Sequence, residues 1–171
     1  MRQDEVKKRR TKSPEQALAA LMRLCARAEK SSGDARRLMR GWGLSDSDAE
    51  RVLRQLVQQR FIDDSRYACA FVREKVNLGG WGAYKIRAAL SRKGIDRTTA
   101  DAALAEISPA QSAERLAQQL SRKVRTVRAA TLYELKTKLI RYGLSLGYDF
   151  EAVREAAGAI VKTTDEECDI F

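Results

Sequence analysis

Two adjacent carboxylates, Asp63 and Asp64, are the first residues in this chain that could do chemistry. Such a pair can divide general acid and base work or hold a cation. These two stand just before an apolar-periodic run, however. There a short side-chain oxygen accepts the orphan N–H groups of a helix's first turn, so capping is the expected role. Gly79-Gly80-Trp81-Gly82 has the glycine density of a phosphate loop, but it follows a helix and lacks the Gly-Lys-Ser/Thr ending that holds phosphate. The chain has no histidine, which removes both an imidazole base and any Cys/His zinc site. Cys25, Cys69 and Cys168 form no close pair, and the first two fall on apolar helical faces, as small core residues do. No catalytic, cofactor-binding or metal-binding residue is assigned. The chain is read as non-enzymatic, with no cofactor.

Cations carry the stronger signal. The 171 residues include 33 Lys and Arg against 23 Asp and Glu, a net charge of +10, which favours a polyanionic partner. Between Gly82 and Arg97 lie Lys85, Arg87, Arg92, Lys93 and Arg97 against the single acid Asp96. A second cluster holds Arg115, Arg122, Lys123, Arg125 and Arg128, followed by Lys136, Lys138 and Arg141. A charged helix face is often only solvated, but phosphate neutralisation is a summed effect and two clusters favour binding. Trp42 and Trp81 each stand between glycines. They are read either as stacking platforms for a base or as covers for the end of a helical bundle. A helix-turn-helix reading of Gly94 to Glu106 is disfavoured for sequence-specific readout, because the face of its second helix carries no Arg, Lys, Asn or Gln to read base edges, whereas backbone contact stays open.

The elements that position these residues are helical. Leu, Ala, Arg, Lys, Glu and Gln dominate and only two prolines occur, so the fold class is all-α. Met1 to Lys12, with Lys7-Lys8-Arg9-Arg10, reads as a basic arm. Ser13-Pro14-Glu15-Gln16 is a capping box with proline at the first helical position. Leu18, Leu21, Met22, Cys25 and Ala28 follow at helical spacing, and Val52, Leu53, Leu56 and Val57 form a later apolar face. Tyr67, Ala68, Phe71, Val72 and Val76 form another, and Tyr84, Ile86, Ala89 and Leu90 the next. Leu116 and Leu120, then Leu132, Leu135, Leu139 and Ile140, then Val153, Ala156, Ala157 and Ile160 complete the set.

These elements repeat. Gly43-Leu44-Ser45, Gly94-Ile95-Asp96 and Gly147-Tyr148-Asp149 recur at intervals of 51 and 53 residues. In each, glycine closes one helix, an apolar residue staples, and Ser or Asp caps the next. Ser108-Pro109-Ala110-Gln111 repeats the chemistry of Ser13-Pro14-Glu15-Gln16. Three tandem three-helix repeats are expected, at 13–62, 63–107 and 108–162, stacked into an elongated curved array. An acidic tail covers 163–171. Asp63, Asp64, Gly94 and Asp96 are the expected structural caps.

One stretch also resembles a known family. Phe61-Ile62-Asp63-Asp64, Arg66-Tyr67-Ala68 and Phe71-Val72, followed by Gly82, Lys85-Ile86, Leu90 and Lys93-Gly94-Ile95, are similar in order and spacing to the RecX family, bacterial regulators of the RecA recombinase. The family's first repeat often carries Ser-x-x-Glu-Leu, where this chain has Ser32-Gly33-Asp34-Ala35-Arg36. The resemblance implies a cytoplasmic, monomeric negative regulator with a role in DNA repair, homologous recombination and the SOS response. It would lie in the groove of the RecA filament on single-stranded DNA and inhibit its ATPase, recombinase and coprotease activities. No membrane is involved, and double-stranded DNA is left open as a partner. The RecA- or DNA-contacting basic face is expected at Lys85, Arg87, Arg92, Lys93, Arg97, Arg122, Lys123 and Arg125. The alternative is a sequence-independent DNA-binding helical-repeat protein.

Overall fold

The structure, a computed structural model, describes residues 11–168, with side chains described as far as residue 163. Lys7 to Arg10 of the expected basic arm, and Asp169 to Phe171 of the acidic tail, lie outside the described residues. Among the described residues the chain forms nine α-helices and no strand. They are α1 (Pro14–Cys25), α2 (Ser32–Gly41), α3 (Asp46–Gln58), α4 (Asp64–Asn77), α5 (Ala83–Arg92), α6 (Arg97–Leu104), α7 (Pro109–Val124), α8 (Leu132–Ser145) and α9 (Phe150–Cys168). The all-α expectation holds. No helix among the described residues is long and apolar enough to cross a membrane.

Local chemistry sets most boundaries. Ser13 and Ser108 both close full capping boxes, each hydroxyl accepting from the N–H of a glutamine whose side chain accepts in return. Ser45 accepts from Asp48 N at 3.1 Å, but its hydroxyl donates to Asp48 Oδ2 at 2.8 Å, so the return contact goes to the side chain. Gly43, Gly94 and Gly147 adopt φ of 79°, 78° and 87°. The three predicted punctuation points thus share a left-handed conformation that costs glycine no Cβ clash.

The chain divides into two compact units. The first holds the described residues up to Tyr67 together with Arg92–Asp96; the second holds Ala68–Ser91 and the described residues from Arg97 onward. Residues of the expected middle repeat are therefore distributed between both. In the first unit α1 and α2 pack on α3, and Leu21, Met39, Leu56 and Ile62 are essentially sealed from solvent. In the second, α7, α8 and α9 pack on one another around Leu116, Leu120, Leu139 and Val153. Gly143 does not interrupt α8. A Cβ there would stand 2.7 Å from Val153 Cγ1, so the glycine permits close approach of α9.

Several expected core positions face solvent instead. Val57 is 50% exposed because Phe61 and Ile62 fold back, their N–H groups donating to Leu56 O, and supply the cover themselves. Leu132 and Tyr84 are exposed in the first turns of α8 and α5, and Ala28 lies beyond the end of α1. The last helix runs through Cys168, so much of the stretch read as a tail is helical. The Thr163 hydroxyl donates to Ala159 O within it.

Candidate polyanion-binding surface

The paired carboxylates are both used at helix starts. Asp63 Oδ1 accepts from Arg66 N at 2.9 Å and caps its own helix, α4. Asp64 caps a different one. Its Oδ1 accepts from Ser32 N at 2.8 Å, and its Oδ2 accepts from the Ser32 hydroxyl, at the first turn of α2. The same turn is held by the segment around Gly94. Ser31 Oγ donates to Lys93 O at 2.7 Å, Arg37 donates to Arg92 O at 3.2 Å, and Lys93 Nζ reaches Asp34 at 3.2 Å. Asp96 directly precedes α6, in the position of its cap. Among the described residues, no cluster of three or more acidic, cysteine or histidine side chains could hold a metal ion.

The glycine-rich loop is a packing device. Trp81 N donates to Lys75 O, and Gly82 N donates to Leu146 O at 2.8 Å. Lys85 Nζ donates to Ser145 O at 3.2 Å, satisfying a carbonyl at the end of α8, and lies 4.7 Å from the centre of the Trp81 ring. Lys75 lies over the same ring at 5.4 Å. Trp81 therefore has two lysine neighbours and is half-buried.

The eight cations of the expected face fall into two classes. Arg87 pairs with Asp101 at 2.7 Å and Arg97 reaches the same carboxylate at 3.5 Å. With Lys85 on a carbonyl, Lys93 on Asp34 and Lys123 over the Tyr142 ring at 5.2 Å, five of the eight have intramolecular partners. Arg92 in the first unit, and Arg122 and Arg125 in the second, are exposed, and their guanidinium groups meet no partner among the described residues.

Pairing also shifts the carboxylates. The Arg87 hydrogen bond holds Asp101 below its ordinary value, with Arg97 adding to the effect. The Cys69 thiol, then Arg73, do the same for Glu106, and Arg36 does so for Glu50. Carboxyls depressed in the folded state stabilise it above their ordinary range, and that contribution is lost as pH falls through the folded values. With no histidine to titrate, the melting midpoint is expected to be flat from about pH 5.5 to 7.5 and to fall below about pH 4. Circular-dichroism melts across this range check it; a midpoint that rises on acidification would contradict the pairing.

A third cationic site escaped the sequence reading. Lys12, Arg23, Arg27 and Trp42, with Ala20 and Leu24, line one cavity of about 290 Å³ in the first unit. Its residues come from three separated stretches. The one local signal was the spacing of Arg23 and Arg27, which places them on the same side of a helical turn.

The backbone and the sequence have known counterparts. The family model for RecX, second three-helix domain, matches residues 63–104. The chain is 30% identical over 143 residues to regulatory protein RecX of Lactococcus lactis subsp. cremoris (strain SK11), covering 81% of this chain and 52% of the relative. It is 33% identical over 120 residues to regulatory protein RecX of Halalkalibacterium halodurans, covering 69% and 45% respectively. The chain thus spans about half the length of the curated relatives it matches. A crystal structure of regulatory protein RecX superposes with a TM-score of 0.78 at 22% identity, over 84% of this chain and 72% of the other. That of RecX from Lactobacillus salivarius gives 0.70 at 19% identity, over 92% and 97%. The Asp63 cap, the Gly94 turn and the helices around them fall within the matched second domain, and the chain is similar to the RecX family there and across these relatives.

Proposed function

We propose that this chain is a non-enzymatic regulator of the RecA recombinase, binding in the groove of the RecA–single-stranded-DNA filament and lowering its ATPase, recombinase and coprotease activities. The observation that carries this reading is the match of residues 63–104 to the RecX second domain, in a chain whose matched relatives are named regulatory proteins. The contacting side chains, on each unit separately, would be cationic. Arg92, Arg122 and Arg125 have guanidinium groups free of internal partners among the described residues, and so can meet an acidic protein surface or phosphate without first breaking an ion pair. Lys85, Arg87, Lys93, Arg97 and Lys123 would add to the field while holding their helices in place. The working units are the three repeats at 13–62, 63–107 and 108–162, in a cytoplasmic monomer with no membrane partner.

The same free cations also fit a second reading, in which the protein binds DNA without regard to sequence or to RecA. Titrating the chain into the single-stranded-DNA-dependent ATPase of its cognate RecA separates the two. The regulator is expected to suppress turnover at well below one protein per RecA, without displacing RecA by competition for DNA. Suppression only once the DNA is saturated would instead establish the DNA binder.

A further inference from the structure

We propose that the cavity between the end of α1 and the end of α2 is a binding subsite for single-stranded nucleic acid, taking a base against Trp42 and the adjoining phosphates on Arg23 and Arg27. The proposal goes beyond the filament-facing cations above: it concerns different residues and a ligand contact made without RecA. Six residues line the cavity, Lys12, Ala20, Arg23, Leu24, Arg27 and Trp42. Half are cations, none is acidic, and the rest are apolar or aromatic. Arg23 and Arg27 are exposed and meet no carboxylate among the described residues. Arg36 and Arg66 of the same unit, by contrast, are committed to Glu50 and Glu29.

The aromatic wall is held rigidly. Trp42 N donates to Leu38 O and Met39 O, Trp42 O accepts from Lys12 N at 3.1 Å, and the indole packs partly against the core of the unit. Lys12 Nζ lies 5.1 Å from the ring centre. A base can take that place because an exposed cation–π contact is weaker than base–aromatic stacking. The displaced ammonium is then free to meet phosphate. An acidic peptide would satisfy the three cations, but it has no use for an indole wall and an apolar floor. A planar base with a charged backbone uses every lining group.

The test is fluorescence anisotropy of the full chain with a labelled oligothymidylate and with an abasic strand of equal length, across a salt series. Arg23→Gln with Arg27→Gln is expected to weaken oligothymidylate binding roughly tenfold at low salt. It should also flatten the log–log salt slope by about 1.4, at about 0.7 per phosphate contact on a single strand. Trp42→Phe preserves an aromatic cover over the core, which unchanged circular dichroism verifies. It is expected to weaken the base-bearing strand about fivefold and to leave the abasic strand unaffected. Wild-type affinity and slope in the double variant would overturn the site. So would an equal loss by Trp42→Phe on both strands, or competition by polyglutamate as effective as that by oligothymidylate, either of which would establish a plain anion or acidic-peptide site. RecA is absent throughout, so failure here is distinguishable from failure of the filament reading, which the ATPase titration decides.

Discussion

Gly82→Ala is expected to destabilise the second unit by about 3 kcal/mol, the upper range for forcing extra volume into a packed site. A Cβ at position 82 would stand 2.4 Å from Gly147 O, 2.5 Å from Gly147 C and 2.6 Å from Tyr148 N. All three are backbone atoms, so no rotamer change can relieve the clash. The same contact is fastened on both sides, by Gly82 N donating to Leu146 O at 2.8 Å and Tyr84 N donating to Gly147 O at 3.0 Å. Moving the loop away to make room would sacrifice these bonds. For a chain of this length about 3 kcal/mol corresponds to a fall of roughly 6–12 °C in melting midpoint. Gly158→Ala is the internal control. It lies within α9 with only Lys136 Nζ near, at 3.8 Å, and alanine there is expected to stabilise by about 0.5–1 kcal/mol through helix propensity. Opposite signs for two glycine-to-alanine changes in one unit would show that packing governs position 82; a midpoint for Gly82→Ala within a degree of the parent would refute it.

Gly82 also shows which parts of the molecule were legible in its sequence. Its place in the recurring family pattern was visible, but the reason lay with Gly147, far along the chain. Signals contained within four residues read well. Ser13 and Ser108 announced their helices by their own hydroxyls and the glutamines three residues on. Gly43, Gly94 and Gly147 announced three turns because a left-handed φ has few alternatives to glycine. Readings failed where a partner was distant. Asp64 was recognised as a cap, but the helix it caps begins at Ser32. Val57 had the periodicity of a core residue, and lost that place to Phe61 and Ile62 when the chain folded back over Leu56. Lys85 and Lys93 counted as free charges in a linear cluster, whereas Ser145 O and Asp34 claim them in the fold. A charge count cannot separate paired from unpaired cations, because pairing depends on the tertiary neighbours. Physically, the family-like stretch from Phe61 to Ile95 contains many residues that hold helices together, which need not be those that meet a partner.

That distinction predicts where regulation should fail. For the proposed regulator, reversing Arg92, Arg122 and Arg125 together to glutamate is expected to weaken RecA ATPase inhibition severely while leaving helicity and melting midpoint near those of the parent. The three side chains are exposed and meet no internal partner among the described residues, so reversal breaks no ion pair in the fold. Each exposed charge contact is worth at most about 1 kcal/mol, and reversal replaces attraction with repulsion. A combined loss of roughly 3 kcal/mol raises the half-inhibitory concentration by about a hundredfold. Lys85→Met supplies the contrast. It removes the bond to Ser145 O and the ammonium over Trp81, so it should lower the melting midpoint, while inhibition per folded molecule falls far less than in the triple reversal. The measurement is the ATPase titration on each variant beside its thermal melt. Wild-type inhibition by the triple reversal would remove these arginines from the interface. If Arg87→Glu then abolished inhibition in a folded protein, the contact would belong to the paired cations, and binding would have to break the Arg87–Asp101 pair to form.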